Sequence, residues 1–218
     1  MAVADDLLAV YLYEQVCRNR TPFHWLYPEL RHAALNTPRF EGIEDALREN
    51  LQTLVRSNRL VLTDWDEKQL PATSSLKDLQ VQPFKCFVGL TKLGAAEWEA
   101  AASPRWDEFY DESSDDRMMT LASTDKSIIL RLMQNRLGWS HAPLQDTVRW
   151  RELRPWKATY WKTLESAWEA EFQYESCRPP PHLPETEEER IAKEEWRRMT
   201  QWFTRACDLP GWRWRIQR

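Results

Sequence analysis

The sequence predicts an α+β, helix-rich fold. A helical first half holds a β-hairpin before its last helix, and a small α+β unit with a second hairpin and a C-terminal helix follows. Three observations predict it. Between Glu41 and Asn58, the residues Ile43, Ala46, Leu47, Leu51, Leu54 and Val55 recur at the spacing of one helical stripe. The period then changes. R-L-V-L-T-D-W (59–65) and P-F-K-C-F-V-G-L-T (83–91) are dense in β-branched and aromatic residues, as strands are. Later, W-E-A-E-F-Q-Y (168–174) alternates apolar and polar without a miss, the pattern of a half-buried strand.

Taken in order, residues 4–18 read as a helix. Leu7, Leu8, Tyr11 and Val16 recur at helical spacing, and Asp5 and Asp6 suit the positive end of its dipole. Thr21-Pro22 ends it. F-H-W-L-Y-P-E-L-R-H-A-A-L (23–35) reads as two short helical turns divided by Pro28, and the 41–58 helix follows. The two strands enclose a long polar loop. L-T-K-L-G-A-A-E-W-E-A-A-A (90–102) then returns to helical composition, with Thr91 placed as an N-cap.

Three helices, a hairpin with a long tip and a further helix form the order of a winged helix. F-V-G-L-T-K-L-G-A-A-E-W-E-A (87–100) resembles the junction of wing strand and helix in MarR- and PadR-type proteins, where an aromatic residue, a Leu-Thr pair and a glycine close the wing. The resemblance covers residues 4–103 and implies a winged-helix-like domain over 1–104. It further implies that the 41–58 helix enters a DNA major groove, with Arg48, Arg56 and Arg59 as contacts and Lys68 and Lys77 assisting from the wing. Against that stand Glu41, Glu44, Asp45 and Glu49 on the same helix and Asp64, Asp66, Glu67 and Asp78 in the wing. Acids that face phosphates oppose duplex binding.

Residues 105–117 read as an acidic connector, and 118–178 as a small α+β domain. In that domain M-M-T-L-A-S (118–123) is a short strand. The next segment, from Ser123 to Asn135, is a helix capped by Ser123 or Thr124. Q-D-T-V-R-W-R-E-L-R-P is a second helix stopped by Pro155. Residues 156–174 read as a β-hairpin of A-T-Y-W-K-T-L against W-E-A-E-F-Q-Y, with a helix from Trp156 as the competing reading. Residues 179–184 form a Pro-rich linker. The 185–218 segment holds a helix opened by the capping box Thr186–Glu189, and residues 186–207 offer a homodimer contact.

Composition narrows the function. Five glycines in 218 residues leave little material for phosphate-cradling loops, and a net charge of −4 does not favour nucleic acid. No zinc-ligand spacing and no G-x-S-x-G occurs, so no metal, cofactor or catalytic residue is expected. Aspartates stand where a signal peptide has lysines, no apolar run spans a bilayer, and four scattered cysteines read as reduced thiols. A cytoplasmic protein with no membrane role is expected. Thirteen tryptophans are the excess to explain. Trp168 is expected in a core, whereas Trp150 and Trp156, flanked by arginines, are the expected outward anchors for a protein partner. The functional expectation is a non-catalytic bacterial accessory, immunity-type or regulatory factor that binds protein. The alternative is a DNA-binding regulator.

Overall fold

The computed structural model describes residues 2–26, 44–71, 85–115, 117–137 and 141–176, together with 186, 187, 190, 191, 194, 198, 202 and 203. The chain divides into two compact units. Unit 1 is Met1–Ser103, Thr159–Trp161 and Thr204–Arg218, and unit 2 is Pro104–Ala158 and Lys162–Phe203.

Unit 1 is built around α1 (Ala2–Val16), which buries Leu8, Tyr11, Leu12, Tyr13 and Val16 and so is apolar on most sides. It packs against α2 (Glu44–Arg56), α3 (Lys92–Ala102) and strand β3 (Phe87–Leu90). The stripe on α2 is the expected one: Leu47, Leu51, Leu54 and Val55 are buried. β1 (Thr21–Pro22), β3 and β2 (Leu60–Thr63) form an antiparallel sheet in the order β1-β3-β2.

The end of α2 is closed by two backbone bonds. Asn58 takes the left-handed conformation (φ 57°), its N–H donates to the Val55 carbonyl, and Arg59 N–H donates to Leu54. This pairing satisfies two carbonyls that a helix end leaves unpaired. It also aims Arg59 at α3. The Arg59 carbonyl accepts Thr91 N–H at 3.1 Å, while Thr91 Oγ1 caps α3 by accepting Gly94 N–H at 3.2 Å. Gly94 lies so close that a Cβ there would stand 2.0 Å from the Arg59 carbonyl oxygen. The Arg59 guanidinium binds Glu97 on α3 at 2.8 Å, and Tyr13 Oη–H on α1 donates to the same carboxylate at 2.8 Å.

Residues Thr159–Trp161 close the other end of α1. Tyr160 Oη–H donates to the Val16 carbonyl at 2.9 Å and accepts Leu90 N–H, and its ring covers Gly89. Trp161 Nε1–H donates to the Cys17 carbonyl at 2.7 Å, and its ring meets Trp98 edge-on. Side chains thus occupy carbonyls at the end of a helix whose last turn has no basic residue.

Unit 2 carries a five-stranded antiparallel sheet. Its path is β4 (Tyr110–Ser114), β5 (Met118–Ser123), β10 (Ala167–Ser176) and β6 (His141–Pro143), and β7 (Arg149–Leu153) also pairs with β10. Helix α4 (Lys126–Leu137) covers one face. Ile128, Ile129, Leu132 and Met133 pack on Tyr110, Met119, Leu121, Ala170 and Phe172. Beside this core, Phe109 gathers Trp106, Trp156 and Trp202, with ring centroids 5.5, 5.8 and 4.6 Å away. A short pair, β8 (Trp156–Lys157) with β9 (Thr163–Leu164), completes the unit.

Several expectations are corrected. The fold is a mixed α+β fold and not helix-rich, because strand pairing organises unit 2 and recruits residues expected elsewhere. The described elements show little of a winged helix over 4–103: two helices and one 3-10 turn (Phe23–Leu26) precede β2, and much of the expected wing tip lies outside the described residues. Residues 105–117 are not simply a connector, since β4 lies within them and pairs along β5. The segment ending at Pro155 is a 3-10 turn (Gln145–Thr147) followed by β7. Its Leu, Arg and Glu favour a helix in isolation, but pairing with β10 outweighs propensity. The 156–174 hairpin does not form as drawn: W-E-A-E-F-Q-Y is a strand, yet its partners are β5, β7 and β6. The 179–184 linker lies outside the described residues, as does most of 186–207. Within the latter, Trp202 is buried against Phe109 of its own chain.

Gly94→Ala should lower unfolding stability by about 3 kcal/mol, measured in urea, because its methyl group meets backbone that cannot yield. A second test uses pH. Hydrogen bonding from Arg59 holds the Glu97 carboxyl below the usual glutamate range. The stability this adds is therefore present above about pH 4.3 and lost as pH falls through the lowered Glu97 value. Glu97→Gln should shift the urea midpoint downward at pH 7, and the gap from the native chain should close in acid.

Candidate interaction surfaces

Strand alternation leaves the second face of the unit 2 sheet polar. Register places Asp111, Ala122, Glu169 and Arg151 in one row across β4, β5, β10 and β7, with Ser113, Thr120, Glu171 and Arg149 in the next. Arg151 Nη2 bonds Glu169 Oε1 at 2.6 Å, while Arg149 and Glu171 are exposed. The first row borders an open trough of about 390 Å³, where Lys157 and Trp156 also line the wall. A second trough of about 390 Å³ follows along Ser113, Thr120 and Glu171 to Asp115. There the Asp115 carboxylate accepts Met118 N–H at 2.9 Å and Arg117 N–H at 3.2 Å. Those donors hold it below the usual aspartate range. The face offers hydroxyls and both signs of charge to a wetted contact.

The two tryptophans expected as anchors part company. Trp150 is 38 % exposed on β7, and the Lys126 ammonium lies 5.3 Å from its ring centroid and 3.6 Å from that of Trp168. Trp156 is only 5 % exposed, and its ring centroid lies 5.8 Å from that of Phe109. The outward role expected of Trp156 is therefore corrected: its flanking charges, Arg154 and Lys157, are exposed while the indole turns in.

The three arginines named for the DNA-binding alternative differ in setting. Arg59 is committed to Glu97, Arg48 is half-buried, and Arg56 is exposed two turns further along α2.

Trp65 is the residue sequence reasoning missed. Read as the end of a strand, it stands beyond it at the tip of a turn and is 74 % exposed. The turn is tightly bonded. Asp64 N–H donates to the Lys68 carbonyl at 2.9 Å, Lys68 N–H returns to Asp64 Oδ1 at 2.8 Å, and Glu67 adopts φ 63°. The indole leans on Phe87 at 5.6 Å between centroids, and Arg20 holds Glu67 at 2.9 Å. The cluster D-W-D-E-K was the available signal, since such polar runs mark turns.

Among the described residues, no group of three or more His, Cys, Asp or Glu is placed to hold a metal, and no helix is long and apolar enough to cross a membrane. Comparison with protein-family models, curated proteins and solved structures finds no match to this chain.

Truncating the two expected anchors should separate them. Trp156→Ala should cost about 3–5 kcal/mol of unfolding stability, as large buried aromatics do, and Trp150→Ala about 1 kcal/mol or less. Urea titration of both variants measures the difference.

Proposed function

We propose that this chain is a non-catalytic protein that acts in the cytoplasm by binding another protein. The observation that carries the reading is Trp65, an indole 74 % exposed on a turn stiffened by bonds in both directions between Asp64 and Lys68. Exposed tryptophans on rigid supports are what protein interfaces use as anchors, because the ring adds a large apolar area at little further cost in conformational freedom. Trp150 adds a second partly exposed indole in unit 2.

The cytoplasmic part of the proposal draws on the cysteines. Cys17 and Cys86 are buried free thiols. Burial pushes Cys17 up to about 12 and Cys86 up to about 11, so both stay protonated and unreactive at neutral pH.

The test is capture from an extract of the native host on immobilised chain, with Trp65→Ala in parallel and nucleic acid assayed in the same eluate. One protein should be retained near equimolar amounts and fall about tenfold or more on the variant. Equal retention by both chains, or an eluate of nucleic acid alone, would overturn the reading.

A further inference from the structure

Trp150 and Trp168 are diagonal neighbours on one face of the β7–β10 ladder, since Trp150 pairs with Ala170 and Trp168 with Glu152. Between them lies an ammonium: Lys126 Nζ is 3.6 Å from the Trp168 centroid and 5.3 Å from the Trp150 centroid. Indole faces attract cations through their quadrupole, and paired aromatic faces serve as receptors for alkylammonium groups. Glu152, opposite Trp168, adds an exposed carboxylate, which also holds Arg154 at 2.6 Å.

The occupant is poorly placed to stay. Lys126 is the first residue of α4, where the helix dipole opposes a positive charge. Its side chain is exposed, so the contact is at the weak end for such pairs, and Trp150 is open to solvent at 38 %. In the preceding position Asp125 caps the helix through Ser127 N–H at 2.8 Å, so α4 does not need Lys126 to begin.

We propose that Trp150 and Trp168 form a recognition site for an alkylammonium group, a lysine side chain of the partner protein, and that Lys126 fills this site in the free chain. The partner's lysine as occupant rests on the protein-binding role proposed above. The ammonium site itself does not, and its test needs no partner.

The experiment is a titration followed by NMR, reading the indole N–H signals of Trp150 and Trp168, with sodium chloride at matched ionic strength as control. The probes are tetramethylammonium chloride and Nα-acetyl-lysine methylamide. An internal competitor weakens apparent affinity by the fraction of open sites. Lys126→Ala should therefore bind both probes about three to six times more tightly than the native chain. Lys126→Arg, which keeps the cation, should behave as the native chain, and Lys126→Ala with Trp150→Ala should show no saturable shift. Lys126→Ala binding no tighter than the native chain, or binding that survives loss of Trp150, overturns the site. If tetramethylammonium binds and the lysine probe does not, the lysine assignment is overturned.

Discussion

Unit 1 depends on the close approach of Gly94 to the backbone of Arg59. The bonds that close α2 leave the Arg59 carbonyl pointing at the first turn of α3, where Thr91 receives it and only a residue without a side chain fits. With α3 seated there, Glu97 comes within reach of both the Arg59 guanidinium and the Tyr13 hydroxyl. The pairing explains the electrostatics. The carboxylate is held in its charged form by its donors, while burial and the Glu97 hydrogen bond push the Tyr13 phenol up. An arginine that the DNA-binding alternative would turn outward thus serves three helices of its own unit.

Unit 2 follows from the two-residue period of β10. Ala170 and Phe172 turn towards α4 and make the dry core, and Glu169 and Glu171 turn the other way. The neighbouring strands obey the same rule, so one face is closed by a helix and the other is lined with charge. The tryptophans divide by burial. Trp98, Trp156 and Trp202 are buried, whereas Trp65 is 74 % and Trp150 38 % exposed.

Local pattern was legible where a segment's own period decides its structure. The stripe of α2, the Thr91 cap, the strand over M-M-T-L-A-S and the alternation of W-E-A-E-F-Q-Y can all be read from neighbouring residues. Pairing was not legible in the same way. A strand's sequence says which residues share a face but not which strand lies beside it, and β10 takes three partners from different parts of the chain. The exposure of Trp65 was hidden for a related reason. Its aromatic character suits a strand, and only the bonds of the turn show that the strand ends at Thr63.

By itself, the sequence determined the element types with strong periodicity, the excess of indoles and the scarcity of glycine. Tertiary structure decided which indoles are core and which are exposed, that Arg59 belongs to an internal ion pair, and that a lysine rests on Trp150 and Trp168. The reason is physical. Periodicity is a property of adjacent residues, whereas burial and charge pairing are set by residues far apart in the chain: 38 positions separate Arg59 from Glu97.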